Sequence, residues 1–229
     1  MARDTLTAAF AGEAAALSAV TAGLTDSDLE RPSSCPPWTA GELLCHMIVA
    51  TARVRQALAE PEPGGVPLVP APDYYRPDER FSPAANASRV ETARQLAARL
   101  RAPGAMSAEL DRVTRDSQAL LAAAPAGRIV RTRHGDAMLL TDFARTRIVE
   151  LGVHGLDLAI SLDQPPWLTG AAAVVVTGLL LPGGGAAELQ AGAGWDQVTL
   201  VAKLTGREPV TEAEGTVLRD SGIRPLTLS

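Results

Sequence analysis

Three residues of this chain have types and spacing that could hold a metal ion. His154 follows Glu150 by four positions, and on a helix that spacing puts both side chains on one face, about 5–6 Å apart at Cβ. The same geometry lets a helical histidine pair chelate zinc. His46 lies in a separate helical stretch, three residues after Leu43 and beside Met47. Two imidazoles and one carboxylate form the ligand set of a catalytic zinc, with a fourth position left for water or substrate. Other divalent metals accept the same set. The competing readings are a hydrogen-bonded Glu–His pair on one helix and a buried, hydrogen-bonded imidazole on the other.

Two charged residues flank this trio at helical spacing. Asp157, three after His154, is placed to take the imidazole's second N–H, the usual partner of a metal-bound histidine. Arg147, three before Glu150, would pair with that carboxylate or bind an anionic substrate. Ordinary ion pairs on a solvated helix flank explain both equally well. His134 falls with Gly135 and Asp136 in a hairpin turn and is expected to be exposed. Cys45 adjoins His46, but successive helical side chains point about 100° apart, so it reads as a small buried hydrophobe. Cys35, in the segment RPSSCPPW, is expected to be partly exposed.

The elements that must position these residues are mainly helical. Apolar residues recur at helical period over 4–23. Tandem prolines then force a stiff loop. Thr39 and Glu42 have the spacing of a capping box, flanked by Trp38 and Leu43 as a hydrophobic staple, and the helix they open runs to about Glu60. Residues 61–84 hold seven prolines and the pair Tyr74–Tyr75, a loop expected to cover the site. A third pattern runs over 86–101, breaks at Pro103–Gly104 and resumes over 107–123. Residues 128–133 and 137–140 alternate around a turn as a small hairpin. Helices follow over 141–162 and 168–181, then a glycine-rich flexible linker, a helix within 195–204 and a last short one from Thr211 to about Asp220. The expected fold is all-α: a four-helix bundle over 1–165 with the hairpin before its fourth helix, and a helical appendage over 166–229 packing on it.

Composition narrows the partners. The net charge of −5 and pI of about 5.3 offer no positive field for nucleic acid or an anionic membrane surface. The longest apolar stretch, Leu168 to Leu181, is too short to span a bilayer. Two cysteines make no disulfide framework, and the first residues lack the basic segment and apolar run of a secretion signal, so a cytoplasmic protein is expected. A homodimer is left open. Among 21 basic residues only Lys203 is lysine, the codon bias of a high-GC genome.

The segment RTRHGDAMLLTDFARTRIVELGVHGLDLA (Arg131 to Ala159), with its R-x-x-E-x-x-x-H-x-x-D helix, resembles the mycothiol-dependent maleylpyruvate isomerase family of the DinB-like superfamily. WTAGELLCHM (Trp38 to Met47) resembles that family's second-helix motif, and KLTGR (Lys203 to Arg207) its element near the C-terminus. The resemblance implies an up-down-down-up bundle binding a divalent metal, commonly zinc, through His46, Glu150 and His154. It also implies mycothiol, a low-molecular-weight thiol of actinobacteria, as cosubstrate, and a substrate-binding arginine for which Arg76, Arg80 and Arg147 are candidates. The glycine-rich tail is short beside the α/β C-terminal domain of those isomerases.

The expected activity is a metal-dependent thiol S-transferase or thiol-assisted isomerase. A metal-coordinated thiol is deprotonated at neutral pH, and the thiolate would attack an electrophilic carbon of a small molecule. The alternatives are a hydrolase using metal-activated water and a non-catalytic module whose metal is structural. A structural zinc normally has four protein ligands, and no fourth good ligand is evident in the sequence.

Overall fold

A computed structural model of the protein describes residues 3–101, 103–125, 127–181, 183–220 and 222–223. The described residues form ten α-helices and one two-stranded antiparallel sheet. The bundle consists of α1 (Arg3–Thr21), α3 (Ala40–Ala59), α5 (Pro103–Ala123) and α6 (Leu140–Ser161), packed in the cyclic order α1, α5, α3, α6. A short α2 (Asp26–Glu30) precedes α3. Its N-cap is Thr25, which forms a capping box with Asp28.

The third helical pattern is two helices. α4 (Pro83–Arg99) flanks α3 outside the bundle, while α5 fills the bundle position. Pro103 opens α5 rather than breaking it, because the first position of a helix has no amide partner to lose. Strands β1 (Ile129–Arg131) and β2 (Ala137–Leu139) pair with Val130 opposite Met138 and lead directly into α6.

The proline-rich loop is ordered by its surroundings. It contains 3-10 turns at Ala71–Tyr75 and Glu79–Phe81, and the Val69 amide donates to the Ala137 carbonyl of β2 at 2.9 Å. Phe10, Leu43, Leu44, Met47, Leu110, Phe143 and Ile148 are among the fully buried core side chains. Each contributes about 1.5–3 kcal/mol on burial.

α6 is covered on nearly every side. One face carries Gly152 and Gly155 instead of larger residues. A Cβ on Gly152 would lie 2.8 Å from Leu168 Cδ1, and one on Gly155 would lie 3.3 Å from Trp167 Nε1. These glycines let the segment before α7 (Gly170–Leu180) approach closely. The glycine-rich stretch expected to be a flexible linker contains α8 (Ala186–Ala193), followed by α9 (Gln197–Leu204) and α10 (Glu212–Asp220). The RPL segment that follows, Arg224 to Leu226, lies outside the described residues. Among the described residues no helix is long and apolar enough to cross a membrane.

Candidate metal centre

The expected capping box is formed. Thr39 Oγ1 accepts from the Glu42 amide at 3.2 Å, and Glu42 Oε2 accepts from the Thr39 amide at 3.1 Å. This start sets the phase of α3, so that His46 faces α6. There Glu150 and His154 stand one turn apart. His46 Nε2 lies 3.5 Å from Glu150 Oε2, and His154 Nε2 lies 3.6 Å from the same oxygen. The three donor atoms lie within 4.8 Å of one another and all three residues are buried. Ligands about 2.0–2.2 Å from a tetrahedral zinc sit about 3.3–3.6 Å apart, so the observed spacing and the N, N, O donor set fit a divalent ion.

Both imidazoles are held in place. Trp38 stacks on His46 with ring centroids 4.6 Å apart. His154 Nδ1 lies 2.9 Å from Asp157 Oδ2. Burial pushes the Asp157 carboxyl up, but hydrogen bonds from His154 and Arg207 outweigh it and hold it well below the usual carboxylate range. An ionised carboxylate only accepts, so Nδ1 carries the proton and Nε2 is the atom presented toward Glu150.

The charges are arranged to keep Glu150 ionised. Burial raises its pKa, yet the hydrogen bond from His46 and the charges of Arg147 and His154 bring it far below its usual value. Burial drives His46 down to about 4 even against the pull of Glu150. For His154, burial is outweighed by hydrogen bonds with Asp157 and Cys35 and by the Glu150 charge, and the value rises to about 10. The two imidazoles therefore differ: His46 is neutral at pH 7, while His154 is drawn toward its charged form by anions on both sides.

A cavity of about 240 Å³ opens from these residues, and its walls are cationic: Arg53, Arg89, Arg133 and Arg147 line it with Tyr74 and His134. Arg147 is 1% exposed. Its Nη1 donates to the Ala50 carbonyl at 2.9 Å and its Nε to Thr146 Oγ1 at 3.1 Å. Its guanidinium lies over the Tyr74 and Phe143 rings. Arg147 Nη2, Arg53 Nε and Arg89 Nε are buried without a hydrogen-bond partner. Tyr75 donates to the Thr146 carbonyl at 2.9 Å, with its hydroxyl 3.3 Å from Glu150 Oε1. The tyrosine pair thus lies buried against the site.

Other expectations change. Arg76 and Arg80 are engaged with Asp136, and of the three arginine candidates only Arg147 lines the cavity. His134 is half-buried against Tyr74 rather than exposed, because the loop carrying Tyr74 folds over the hairpin turn. Cys45 is buried as expected, with burial pushing its thiol up to about 12. Cys35 is also buried, within 4.8 Å of the donor atoms of His154 and Asp157. The sequence reading missed Arg53, Arg89 and Arg207. Arg53 had a signal, seven residues after His46 on the same helical face. Arg207 had only its place in the KLTGR motif.

The family described as the mycothiol maleylpyruvate isomerase N-terminal domain matches residues 10–159. Two solved structures, the mycothiol-dependent maleylpyruvate isomerase and a histidine-to-alanine variant of it, are similar in fold. Each has a TM-score of 0.52 at 12% identity, over 77% of this chain and 68% of that chain. No curated protein matches the chain in sequence. The fold is that of the DinB-like maleylpyruvate isomerase, and the chain belongs to the mycothiol maleylpyruvate isomerase N-terminal domain family.

Proposed function

We propose that the chain is a metal-dependent enzyme that uses mycothiol as cosubstrate, an S-transferase or thiol-assisted isomerase acting on a small anionic electrophile. The observation that carries this reading is the meeting of two features in one cavity. Three buried donors converge at His46, Glu150 and His154, and the same cavity is lined by three arginines, Arg53, Arg89 and Arg147, each with a buried N–H that has no partner.

His46, Glu150 and His154 would hold the metal, zinc for preference. When bound, such a cation makes a coordinating thiol a thiolate at neutral pH. Asp157 keeps a proton on Nδ1 of His154, so Nε2 is the nitrogen that would give up its proton to bind the ion. Arg147, with Arg53 and Arg89 beside it, is positioned to bind a substrate carboxylate through charge-assisted hydrogen bonds. The same guanidinium groups would face negative charge that builds on a conjugated carbonyl as sulfur adds to the alkene carbon β to it. In the isomerase branch the former double bond rotates and sulfur leaves again; in the transferase branch the enolate takes up a proton, balancing the one the thiol gave up, and the thioether is released. Tyr74 and Tyr75 exclude water from one side.

Three converging protein donors leave room for a cosubstrate, whereas a purely structural zinc is normally closed by four. The test is turnover by zinc-loaded protein on a panel of carboxylated activated alkenes, followed by mass spectrometry and NMR. Free mycothiol should support a thioether adduct or a geometric isomer, and S-methylated mycothiol should not. Equal turnover without any thiol would make water the nucleophile and sink the proposal.

A further inference from the structure

Arg207 comes from beyond the bundle, past the end of α9, yet its side chain reaches α6. The KLTGR segment explains how. Thr205 caps α9, and Gly206 turns the chain in the left-handed region at φ 74°, where glycine alone carries no steric penalty. The amides of Gly206 and Arg207 then donate back to the carbonyls of Lys203 and Ala202 at 3.2 and 2.7 Å, the paired bonds of a Schellman ending. This fixed turn aims the arginine inward. Its Nε donates to Asp157 Oδ1 and its Nη2 to Asp157 Oδ2, both at 2.9 Å, while Nη1 donates to the Thr205 carbonyl at 2.6 Å.

That two-pronged grip leaves the Asp157 carboxylate little freedom to rotate. Asp157 is 3% exposed, and its Oδ2 also takes the His154 Nδ1 contact at 2.9 Å. We infer that Arg207 is a positioning residue for the metal centre, fixing His154 through Asp157 and so making the segment after the bundle part of the site. The inference rests on the metal-binding reading of His46, Glu150 and His154. Partners that orient metal-bound histidines commonly contribute 10–100-fold in affinity.

The test is a cycle of Arg207→Gln, Asp157→Asn and the double variant in the full chain. It is read by zinc competition titration and by the visible spectrum of the cobalt form, with helicity and melting followed in parallel. The expected result is a zinc Kd raised about 10–100-fold in Arg207→Gln with a changed cobalt band envelope. Because the effect passes through Asp157, the double variant should bind no more weakly than Asp157→Asn alone. Arg207→Lys, which keeps the charge but loses the fork, should fall between wild type and Arg207→Gln.

An Arg207→Gln protein that melts lower but binds zinc with unchanged Kd would make Arg207 a mere anchor and overturn the inference alone. Additive weakening in the double variant would overturn the route through Asp157. A wild-type chain that takes up no zinc defeats the metal reading itself, and this inference with it.

Discussion

Arg147 and Glu150 stand one turn apart on α6, with Arg147 Nη2 3.8 Å from Glu150 Oε1. The guanidinium is fully buried, and Nη2 has no hydrogen-bond partner. An unsatisfied buried donor on a charged group costs more than the 1–3 kcal/mol of a neutral one. Two things offset that here: the Glu150 charge and the Tyr74 and Phe143 faces beneath the guanidinium. The arrangement leaves Nη2 without a partner in a residue that lines the cavity.

Arg147→Gln should therefore weaken binding of a carboxylated substrate. Losing a charge-assisted hydrogen bond of about 1.5–3 kcal/mol corresponds to a KM raised roughly 10- to 100-fold. Zinc content should remain near one per chain, since Arg147 is not a donor. Steady-state kinetics beside elemental analysis would read both, and an unchanged KM would remove Arg147 from substrate recognition.

The donor trio makes a separate prediction. His46→Ala, Glu150→Ala and His154→Ala should each lose bound zinc while staying helical, because the two protein donors that remain hold an ion poorly. Cys45→Ala, with its side chain in the core, should keep the metal and retain activity within about tenfold of wild type, since small core truncations act on stability rather than on the site. Elemental analysis after dialysis separates the two groups. Full occupancy in any of the trio would strike that residue from the centre.

The capping of α3 should matter for stability and not for chemistry. Thr39→Ala removes the acceptor for the Glu42 amide and should cost about 1 kcal/mol. In a chain of this size that lowers the melting temperature by about 2–4 °C. Calorimetry is sufficient to see it. A shift much larger than this would mean that the cap also holds His46 in place.

What was legible in the sequence was local. Thr39 with Glu42, and the R-x-x-E-x-x-x-H-x-x-D run on α6, state their own geometry because helical spacing fixes which side chains share a face. Treating 86–101 and 107–123 as one interrupted pattern hid the fact that only α5 belongs to the bundle, with α4 outside it. Cys35 and Arg207 carry no periodic signal. They reach His154 and Asp157 only through a proline-rich loop and a left-handed turn, both of which are tertiary facts. His134 was misread for a similar reason: a turn residue is exposed only if nothing packs over the turn, and here Tyr74 does.

Glu13 offers a test by pH, away from the candidate metal centre. It is fully buried on α1. Its Oε2 accepts from the Thr169 amide at 2.9 Å and from Thr169 Oγ1 at 2.7 Å, tying α1 to the start of α7. Its Oε1 has no partner. Burial raises its pKa above 4.5, with the Thr169 bonds opposing. A raised folded-state pKa means the folded chain binds the proton more tightly than the unfolded chain. The contribution to stability is therefore full below about 4.5 and is lost as pH rises through the folded value. Glu13→Gln keeps an oxygen for Thr169 and has no proton to lose. Its melting temperature relative to wild type should climb as pH is raised from about 4.5 to about 8, since only wild type then forms a buried charge. Thermal melts across that range decide the matter, and a difference that stays flat with pH would show that Glu13 ionises in the fold as easily as in the unfolded chain.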